Sequence, residues 1–486
     1  MIYVFSLKSN FSIPDFQFAR QMNRLFLVIG LLFSIIACNT YRELPKPLVP
    51  AGWKSFEVPA TTQQWNGDPQ AGLDFLIYGD YIGSGIPFAI AEKRFARHRD
   101  TVLNRSGVNA NMPFATNVFK AANGVEVMNG NCFACHAGEL NREIVLGLGN
   151  SFSDYTKSMN TFVKALYFGV DLKYKKDAPE WQAFQDFGNY SRAMAPYIHL
   201  NQQGANPAFR LAEACMMHRD PADLTWREKA NYEIADYPVA TDVPPLWNVK
   251  KKNGLYYNGG GRGDFTKLLF QASVLGIPDS AAARQAINNF KDVYAWLRSL
   301  EPPKYPGKID QSLAAQGKII FEEHCSKCHG TYGENWTYPN KVIALDVIKT
   351  DPMYAYYANN SGISNWYNNS WFALSEPRSW FDMTPGYIAP PLDGIWASAP
   401  YLHNGSVPTL EDLLNSPQRP IYWQRSGNSQ DYDYHKVGWK YDVKDKPVGK
   451  WTFDTTLPAY SNAGHYFGDK LTKDERAAVI EYLKGL

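Results

Sequence analysis

Cysteine is scarce in this chain, which has only six among 486 residues. Four of them lie in two short motifs of one pattern, and the other two are Cys38 and Cys215. A disulfide framework could form only by using motif cysteines, so disulfides are not expected to hold this fold together. We expect Cys215 to be a buried helix residue that packs as a small apolar side chain.

Long apolar runs are also scarce. The clearest one covers residues 25–37, and these 13 residues are too few for a membrane-spanning helix, which needs about 20. A short basic stretch that starts at Met22 precedes the run, and Cys38 follows it, as in a lipoprotein signal peptide. We therefore expect translation to start at Met22, residues 1–37 to be removed, Cys38 to be lipidated and residues 38–51 to form a tether. The protein would then lie in the periplasm or cell envelope and be held to the membrane by its lipid anchor alone.

The chain has almost no net charge, with 49 Lys and Arg against 47 Asp and Glu. Removal of residues 1–37 takes away three basic residues and one acidic residue, which leaves 46 of each. Proteins bind nucleic-acid phosphates through an excess of positive charge, so no nucleic acid is expected as a partner. No stretch resembles the acidic calcium-binding loop of an EF-hand.

Two copies of Cys-x-x-Cys-His are the most informative feature of the sequence. A bare Cys-x-x-Cys pair is compatible with a disulfide, a thioredoxin-like redox pair or half of a zinc site. A histidine directly after the second cysteine is typical of a c-type haem, which bonds to both thiols while the histidine binds the iron. We therefore predict two covalently bound haem c groups. The attachment residues are Cys132, Cys135 and His136 in the first motif and Cys325, Cys328 and His329 in the second.

Helical patterns flank the second motif and also precede it. Residues 280–300 carry apolar side chains at close to helical spacing. Asp310 is placed to cap a helix that runs into Cys325. Thr472 and Glu475 fit a capping box at the start of a closing helix.

These patterns repeat the order helix, motif, loops and closing helix. We therefore predict a mainly α protein made of two c-type cytochrome domains with long loop insertions. The N-terminal haem c domain with its insertion would cover residues 52–305, and the C-terminal haem c domain would cover residues 306–486.

The sixth ligand decides what each iron does. An iron held only by its proximal histidine can react with peroxide or dioxygen, whereas an iron with two protein ligands mainly passes electrons. For the second haem, His403 is the strongest candidate, and Met383 is its rival. We expect His324 on a helix surface, and His435 and His465 near propionates or water. The first haem is expected to be open, because no convincing ligand stands among Met216, Met217, His199 and His218.

Residues 387–410, which run from Tyr387 through Pro390 and His403 to Leu410, resemble the C-terminal signature of the di-haem cytochrome c peroxidase superfamily. They are most similar to the branch that contains the bacterial rubber oxygenases, as are residues 242–252 and 464–468. The resemblance implies two mainly α-helical cytochrome c domains packed together.

The resemblance also implies roles for individual residues. The haem on His136 would be the catalytic centre, and the haem on His329 and His403 would transfer or store electrons. Trp247 would lie near the haems, either as an aid to electron transfer or as a packed core residue. Tyr256 and Tyr257 are expected near the distal face of the first haem.

We therefore expect an oxidoreductase of the cytochrome c peroxidase type, in which electrons pass from the C-terminal haem to a reactive N-terminal haem. Its partners would be hydrogen peroxide or dioxygen and a small redox donor or cytochrome. Two alternatives remain open. One is a rubber-oxygenase-like dioxygenase that acts on an apolar substrate, and the other is a non-catalytic di-haem electron carrier.

Overall fold

A computed structural model describes residues 53–96, 99–234 and 238–486 of the chain. The expected signal peptide, Cys38 and the tether lie outside these residues. Among the described helices, none combines the length and the apolar character needed to cross a membrane. The described residues belong to one compact unit that covers residues 49–486, and the domain boundary after residue 305 remains a prediction.

The prediction of a mainly α fold is wrong, because helices make up 40% of the described residues and strands a further 14%. The protein is a mixed α/β structure, and two separate cytochrome domains are not seen among the described residues.

The α-helices are α1 (Pro69–Tyr78), α2 (Phe88–Phe95), α3 (Phe133–His136), α4 (Asn160–Lys173), α5 (Pro179–Met194), α6 (Ala208–Met216), α7 (Phe265–Phe270), α8 (Ser280–Ser299), α9 (Gln311–His324), α10 (Ser326–His329), α11 (Leu345–Ile348), α12 (Met353–Asn360), α13 (Gly362–Asn368), α14 (Trp371–Leu374), α15 (Leu410–Leu413) and α16 (Lys473–Leu483). Short 3-10 helices cover Gly107–Asn111, Leu246–Lys251, Gln271–Leu275, Ile395–Ala397, Ser416–Gln418 and Tyr466–Lys470.

The strands are two to five residues long and pair antiparallel in small sheets. They are β1 (Phe56–Glu57), β2 (Ile86–Pro87), β3 (Thr116–Lys120), β4 (Glu126–Gly130), β5 (Ala137–Leu140), β6 (Glu143–Leu146), β7 (Gly261–Gly263), β8 (Lys341–Ala344), β9 (Ser379–Phe381), β10 (Gly386–Ile388), β11 (Tyr422–Gln424), β12 (Tyr432–Asp433), β13 (Gly438–Trp439), β14 (Asp442–Lys444) and β15 (Thr452–Asp454). The three-stranded sheets have the orders β1-β8-β10, β2-β4-β3 and β14-β11-β15, and the pairs are β5-β6, β7-β9 and β12-β13. Segments this short show too little alternation of apolar and polar residues to be recognised as strands. The sequence pattern therefore predicted loops where these strands lie.

One pair of crossing helices lies beside the first motif, and we call it the first helix crossing. It consists of α1 and α8, capped by the carboxylates of Asp68 and Asp279. A Cβ atom at Gly72 would overlap the backbone of Asp292, so only glycine allows the two helices to approach this closely. The helix predicted over residues 280–300 is thereby confirmed as α8.

A second pair, the second helix crossing, consists of α9 and α16. The Asp310 carboxylate caps α9, and Thr472 with Glu475 forms the capping box of α16, so both predicted signals are confirmed. A Cβ atom at Gly317 would overlap the Ala478 carbonyl. Both crossings therefore depend on a glycine at the point of closest approach.

Two large apolar clusters surround the crossings. The first includes Phe133 of the first motif, which packs against Trp296 with ring centres 5.7 Å apart. The second includes Phe321 of α9, which packs against Tyr482 at 5.3 Å. The hairpin β5-β6 joins the clusters, since its first residue Ala137 belongs to the first cluster and Leu140 to the second.

Candidate haem-binding sites

The first motif forms a single helical turn, in which α3 follows Cys132 directly. Cys132 and Cys135 are both free thiols, so the two are not paired in a disulfide. Burial raises the pKa of Cys132 to about 11 and also raises the pKa of Cys135. Asn206 Nδ2 donates to Cys135 Sγ at 3.3 Å, and the Cys132 amide donates to the Tyr81 hydroxyl at 3.3 Å. The Cys135 thiol and the Cys132 backbone are thus both positioned by hydrogen bonds.

The ring of His136 has no protein partner at its buried Nδ1 atom among the described residues. Burial lowers the pKa of His136 to about 4. The Pro244 carbonyl is nearby and raises this pKa slightly, but it does not accept a hydrogen bond from Nδ1. The ring is therefore neutral at physiological pH, which is the form in which imidazole binds a metal. This residue fits the predicted role of proximal ligand.

The second motif has a more complete environment. His329 Nδ1 donates to the Pro390 carbonyl at 2.8 Å, because a carbonyl can only accept. This bond fixes the tautomer and leaves Nε2 as the nitrogen that can bind a metal. Burial also lowers the pKa of His329. Cys325 and Cys328 are free thiols, and burial raises the pKa of Cys325 to about 11.

His465 faces His329, with the ring centres 6.2 Å apart and the ring planes inclined by 56°. A bond from imidazole nitrogen to a metal is about 2 Å long, so two rings on opposite sides of one ion have centres roughly 6 Å apart. Burial, with smaller contributions from the charges of His329 and Arg419, lowers the pKa of His465 to about 3. His329 and His465 are therefore placed so that both neutral imidazoles would be able to hold one haem iron.

The backbone around His465 is held from two sides. His465 itself has a left-handed φ of 51°, and its amide donates to the Ile348 carbonyl at 2.8 Å. Arg419 donates to the carbonyls of Asn462 and Gly464 at 2.6 and 2.7 Å. The strained conformation at His465 is therefore supported by its neighbours, as is common where a side chain must point in one direction.

His403, the predicted sixth ligand, lies in a group of tyrosines. It is buried, and its ring stacks on Tyr387 with centres 4.2 Å apart, while Tyr257 and Tyr354 lie at 6.1 and 6.5 Å. Its Nε2 atom is buried without a hydrogen-bond partner, and burial lowers its pKa to about 3. Within the described residues, the ring contact of His329 is with His465 and not with His403.

The other candidate ligands are spread over the molecule. The alternative Met383 is 42% exposed, and His324 is on the surface at the end of α9, as predicted. His218 stacks on Trp226 with ring centres 4.9 Å apart, away from any histidine ring. His199 and His435 are exposed, whereas Met216 and Met217 are buried. The predicted burial of Cys215 in a helix is confirmed, since it is 1% exposed in α6.

Trp247 lies between the two motifs and is fully buried. On one side, the Gly147 amide donates to the His136 carbonyl at 2.9 Å, and the Leu246 amide donates to the Gly147 carbonyl at 2.8 Å. On the other side, Trp247 Nε1 donates to the Asp393 carbonyl at 2.7 Å.

Asp393 follows Pro390 by three residues, and Pro390 accepts the hydrogen bond from His329. Lys251 Nζ pairs with Asp393 at 2.7 Å and stiffens this loop. Short backbone steps and four hydrogen bonds thus connect His136 to His329 through Trp247.

Tyr256 and Tyr257 point in different directions. Tyr257 belongs to the group around His403, whereas the Tyr256 hydroxyl donates to Gln271 Oε1 at 2.9 Å. Tyr256 packs against Phe381 with ring centres 5.7 Å apart, beside the cluster that contains Phe133. A surface pocket opens here, and its lining is mainly apolar: Phe209, Tyr256, Asn258, Gly260, Ala358, Ser364, Phe381, Asp382 and Met383.

Comparison with known proteins agrees with a haem protein. Residues 386–424, which include Pro390, Asp393 and His403, match the RoxA-like, cytochrome c-like family. This match supports a haem-containing oxidoreductase, related to the rubber oxygenases, with covalently bound haem c.

Two proteins of Sinorhizobium fredii are also similar. The uncharacterized protein y4iJ is 33% identical over 38% of this chain and 41% of its own length. The uncharacterized protein y4iM is 26% identical over 51% of this chain and 62% of its own length. The chain thus spans about two fifths to three fifths of the relatives that it matches.

Proposed function

We propose that this protein is a di-haem c-type oxidoreductase in which the two irons have different roles. The observation that carries the proposal is the spacing of 6.2 Å between the rings of His329 and His465. His136 has no such ring contact with a second histidine in the described part of the chain. The second iron would thus have two protein ligands and the first iron one.

At the second site, the residues of the chain orient the ligands. His329 is fixed by its bond to the Pro390 carbonyl, and the backbone of His465 is fixed by Ile348 and Arg419. Because both rings are half-buried and neutral, they suit a centre that gains and loses one electron without rearrangement. We assign this site to electron transfer or storage, with His465 in place of His403 as the sixth ligand.

At the first site, Cys132 and Cys135 would hold the haem and His136 would bind its iron. Haem c bound there supplies an iron with an open position that can react with hydrogen peroxide. Peroxide reduction consumes two electrons and two protons per peroxide and forms two water molecules. The chain contributes burial, a neutral His136 and a short connection through Trp247 to the second site.

The electrons would come from a small redox donor or a cytochrome outside the protein. A lipid anchor on Cys38 would keep the protein at the cell envelope, where haem c is attached and such donors are found. These partners and this location rest on the sequence patterns described above.

Low-temperature electron paramagnetic resonance (EPR) of the ferric protein tests the assignment of ligands. The unchanged protein should show one low-spin haem and one high-spin haem that responds to cyanide. His465→Ala should convert the low-spin haem to a high-spin haem, and His403→Ala is the matched control that should leave both signals in place. If His403→Ala removes the low-spin signal and His465→Ala does not, the earlier assignment to His403 stands and ours falls.

A second candidate function is a dioxygenase that acts on an apolar substrate. One observation favours it: the RoxA-like match over residues 386–424. Oxygen uptake with polyisoprenoid substrates in the absence of a reductant would identify this activity. Peroxide turnover that needs a reduced donor, without such uptake, would identify the peroxidase. Neither activity, together with two low-spin haems, would identify an electron carrier.

A further inference from the structure

Helix α4 is attached to the protein by one side only. Val163 is 5% exposed and Val170 is fully buried, and Leu166 and Tyr167 pack beside Trp181 and Phe184. These residues follow helical spacing and fasten the helix to α5. The attachment leaves the opposite side of α4 free.

That opposite side is apolar, and we call it the α4 face. It carries Phe168 and Leu172, which are 68% and 77% exposed, while Phe162, which is 41% exposed, lies on the flank of the helix between this side and the buried one. Phe168 and Leu172 are four residues apart, so their side chains are neighbours on the helix surface. Single exposed apolar residues are ordinary in proteins, but two large neighbouring ones on the free side of a helix form a contiguous apolar patch, which is typical of a contact surface.

The surroundings of the α4 face carry more basic than acidic side chains, since the exposed acids there are Asp154, Asp171 and Asp177. Five exposed lysines lie on or beside the helix: Lys157, Lys164, Lys173, Lys175 and Lys176. Within the described residues, none of the five forms an ion pair with a carboxylate. The nearby Asp171 accepts a hydrogen bond from Trp181 Nε1 at 3.2 Å.

We propose that the α4 face docks on the surface of a phospholipid bilayer with anionic headgroups. An apolar helix side at the boundary of headgroups and acyl chains, with lysines beside it, is the pattern by which helices lie on membranes. A second copy of the chain fits less well, because a two-fold contact would bring the two sets of lysines together. An uncharged apolar polymer would leave the lysines without a partner.

Spin labels on the full-length, haem-loaded protein test this docking. The label is placed at Phe168→Cys, and Ile319→Cys is the matched control, since Ile319 is also a helix residue with 68% exposure. The remaining cysteines do not interfere, because haem attachment uses four of them, lipid would block Cys38, and Cys215 is 1% exposed. Accessibility to oxygen and to a water-soluble nickel chelate is measured by EPR with and without vesicles.

With vesicles of phosphatidylglycerol and phosphatidylethanolamine, the label at 168 should become several-fold more accessible to oxygen and less accessible to nickel. The label at 319 should not change. A Lys164→Gln, Lys175→Gln variant should need about tenfold more anionic lipid for the same change. Because the two labels are compared in molecules with the same lipid anchor, attachment through Cys38 cannot mimic the result.

Three outcomes would overturn the proposal. In the first, the protein binds the vesicles but the label at 168 stays in water. In the second, labels at 168 on two copies broaden each other's spectra in solution, which would make the α4 face a dimer interface. In the third, the label responds to particles of uncharged polyisoprene but not to anionic vesicles, which would make it a polymer-binding surface.

Discussion

The two motif regions are built alike but completed differently. Each lies beside a pair of crossing helices that meet at a glycine, Gly72 in one and Gly317 in the other. Each carries two free thiols and a half-buried histidine ring whose pKa is lowered by desolvation. The second region adds a hydrogen bond from its histidine to Pro390 and a facing His465, and the first has neither in the described residues.

This difference teaches that a shared attachment motif does not fix what an iron does. Attachment needs only local sequence, since the thiols and the histidine lie within five residues. In the proposed function, the reactivity of each iron would depend on the residues across the haem from the motif histidine, and those residues lie far away in the chain. The contrast between His136 and His329 is therefore a contrast between their distant neighbours.

The largest expected effect comes from breaking the helix crossings. Gly72→Ala and Gly317→Ala each place a Cβ atom on a carbonyl of the facing helix, and we expect each to cost about 3 kcal/mol of the free energy of unfolding. Urea unfolding measures the decrease in the free energy of unfolding. The haem content of each purified variant shows whether haem attachment at the neighbouring motif is reduced.

Gly169→Ala is the control for this prediction. Gly169 lies in α4 with open space around it, so alanine should stabilise the helix slightly. Equal stability of all three variants would show that the crossings do not depend on glycine.

A buried carboxyl group in the first half of the chain should change the free energy of unfolding by up to about 3 kcal/mol between low and neutral pH. Glu213 is fully buried, and burial raises its pKa to about 7, while the Ser361 hydroxyl donates to it at 2.7 Å and opposes the shift. The folded protein thus holds this proton more tightly than the unfolded chain. The resulting stability is complete below about pH 4 and is lost as the pH rises through about 7.

Glu213→Gln should flatten this part of the dependence of stability on pH, as measured by urea unfolding from pH 4.5 to 8. The matched control from the second region is Glu481→Gln, since Glu481 is also buried but pairs with Lys484 at 2.6 Å. That variant should lower stability by about 1 kcal/mol without removing the slope. Parallel curves for Glu213→Gln and the unchanged protein would contradict the prediction.

The smallest expected effect on stability comes from the connection between the two regions. Trp247→Phe removes the hydrogen bond to the Asp393 carbonyl, which should cost about 1 kcal/mol. It should also slow electron exchange between the two haems, which stopped-flow spectroscopy after partial reduction measures. Trp296→Phe is the control, because Trp296 packs on Phe133 within the first region. A similar slowing in both variants would mean that Trp247 has no special place in the path.

Local patterns predicted some elements well. The helix over residues 280–300, the Asp310 cap and the Thr472 and Glu475 capping box are all present, because each depends on residues within one or two helical turns. The prediction of a mainly α fold was wrong because it rested on local patterns alone. The short strands, such as β8 between β1 and β10, form through partners far apart in the sequence, and no local pattern encodes that pairing.

The proposed sixth ligand, His465, illustrates the same limit. The sequence favours His403 because it stands in the long family-like run of residues 387–410, whereas His465 stands in the much shorter run of residues 464–468. Only the folded chain brings His465 to 6.2 Å from His329, 136 positions earlier. The left-handed backbone at Gly464 and His465 is a feature of the folded chain that the sequence pattern did not predict.

By itself, the sequence determined the two Cys-x-x-Cys-His motifs, which predict haem c attachment because the thiols and the imidazole are neighbours in the chain. It also determined the helices that carry their own caps. The tertiary structure alone decided which histidine faces which, where Trp247 lies and which side of α4 stays exposed. Those features arise from contacts between distant residues, and their energy exists only when the chain is folded.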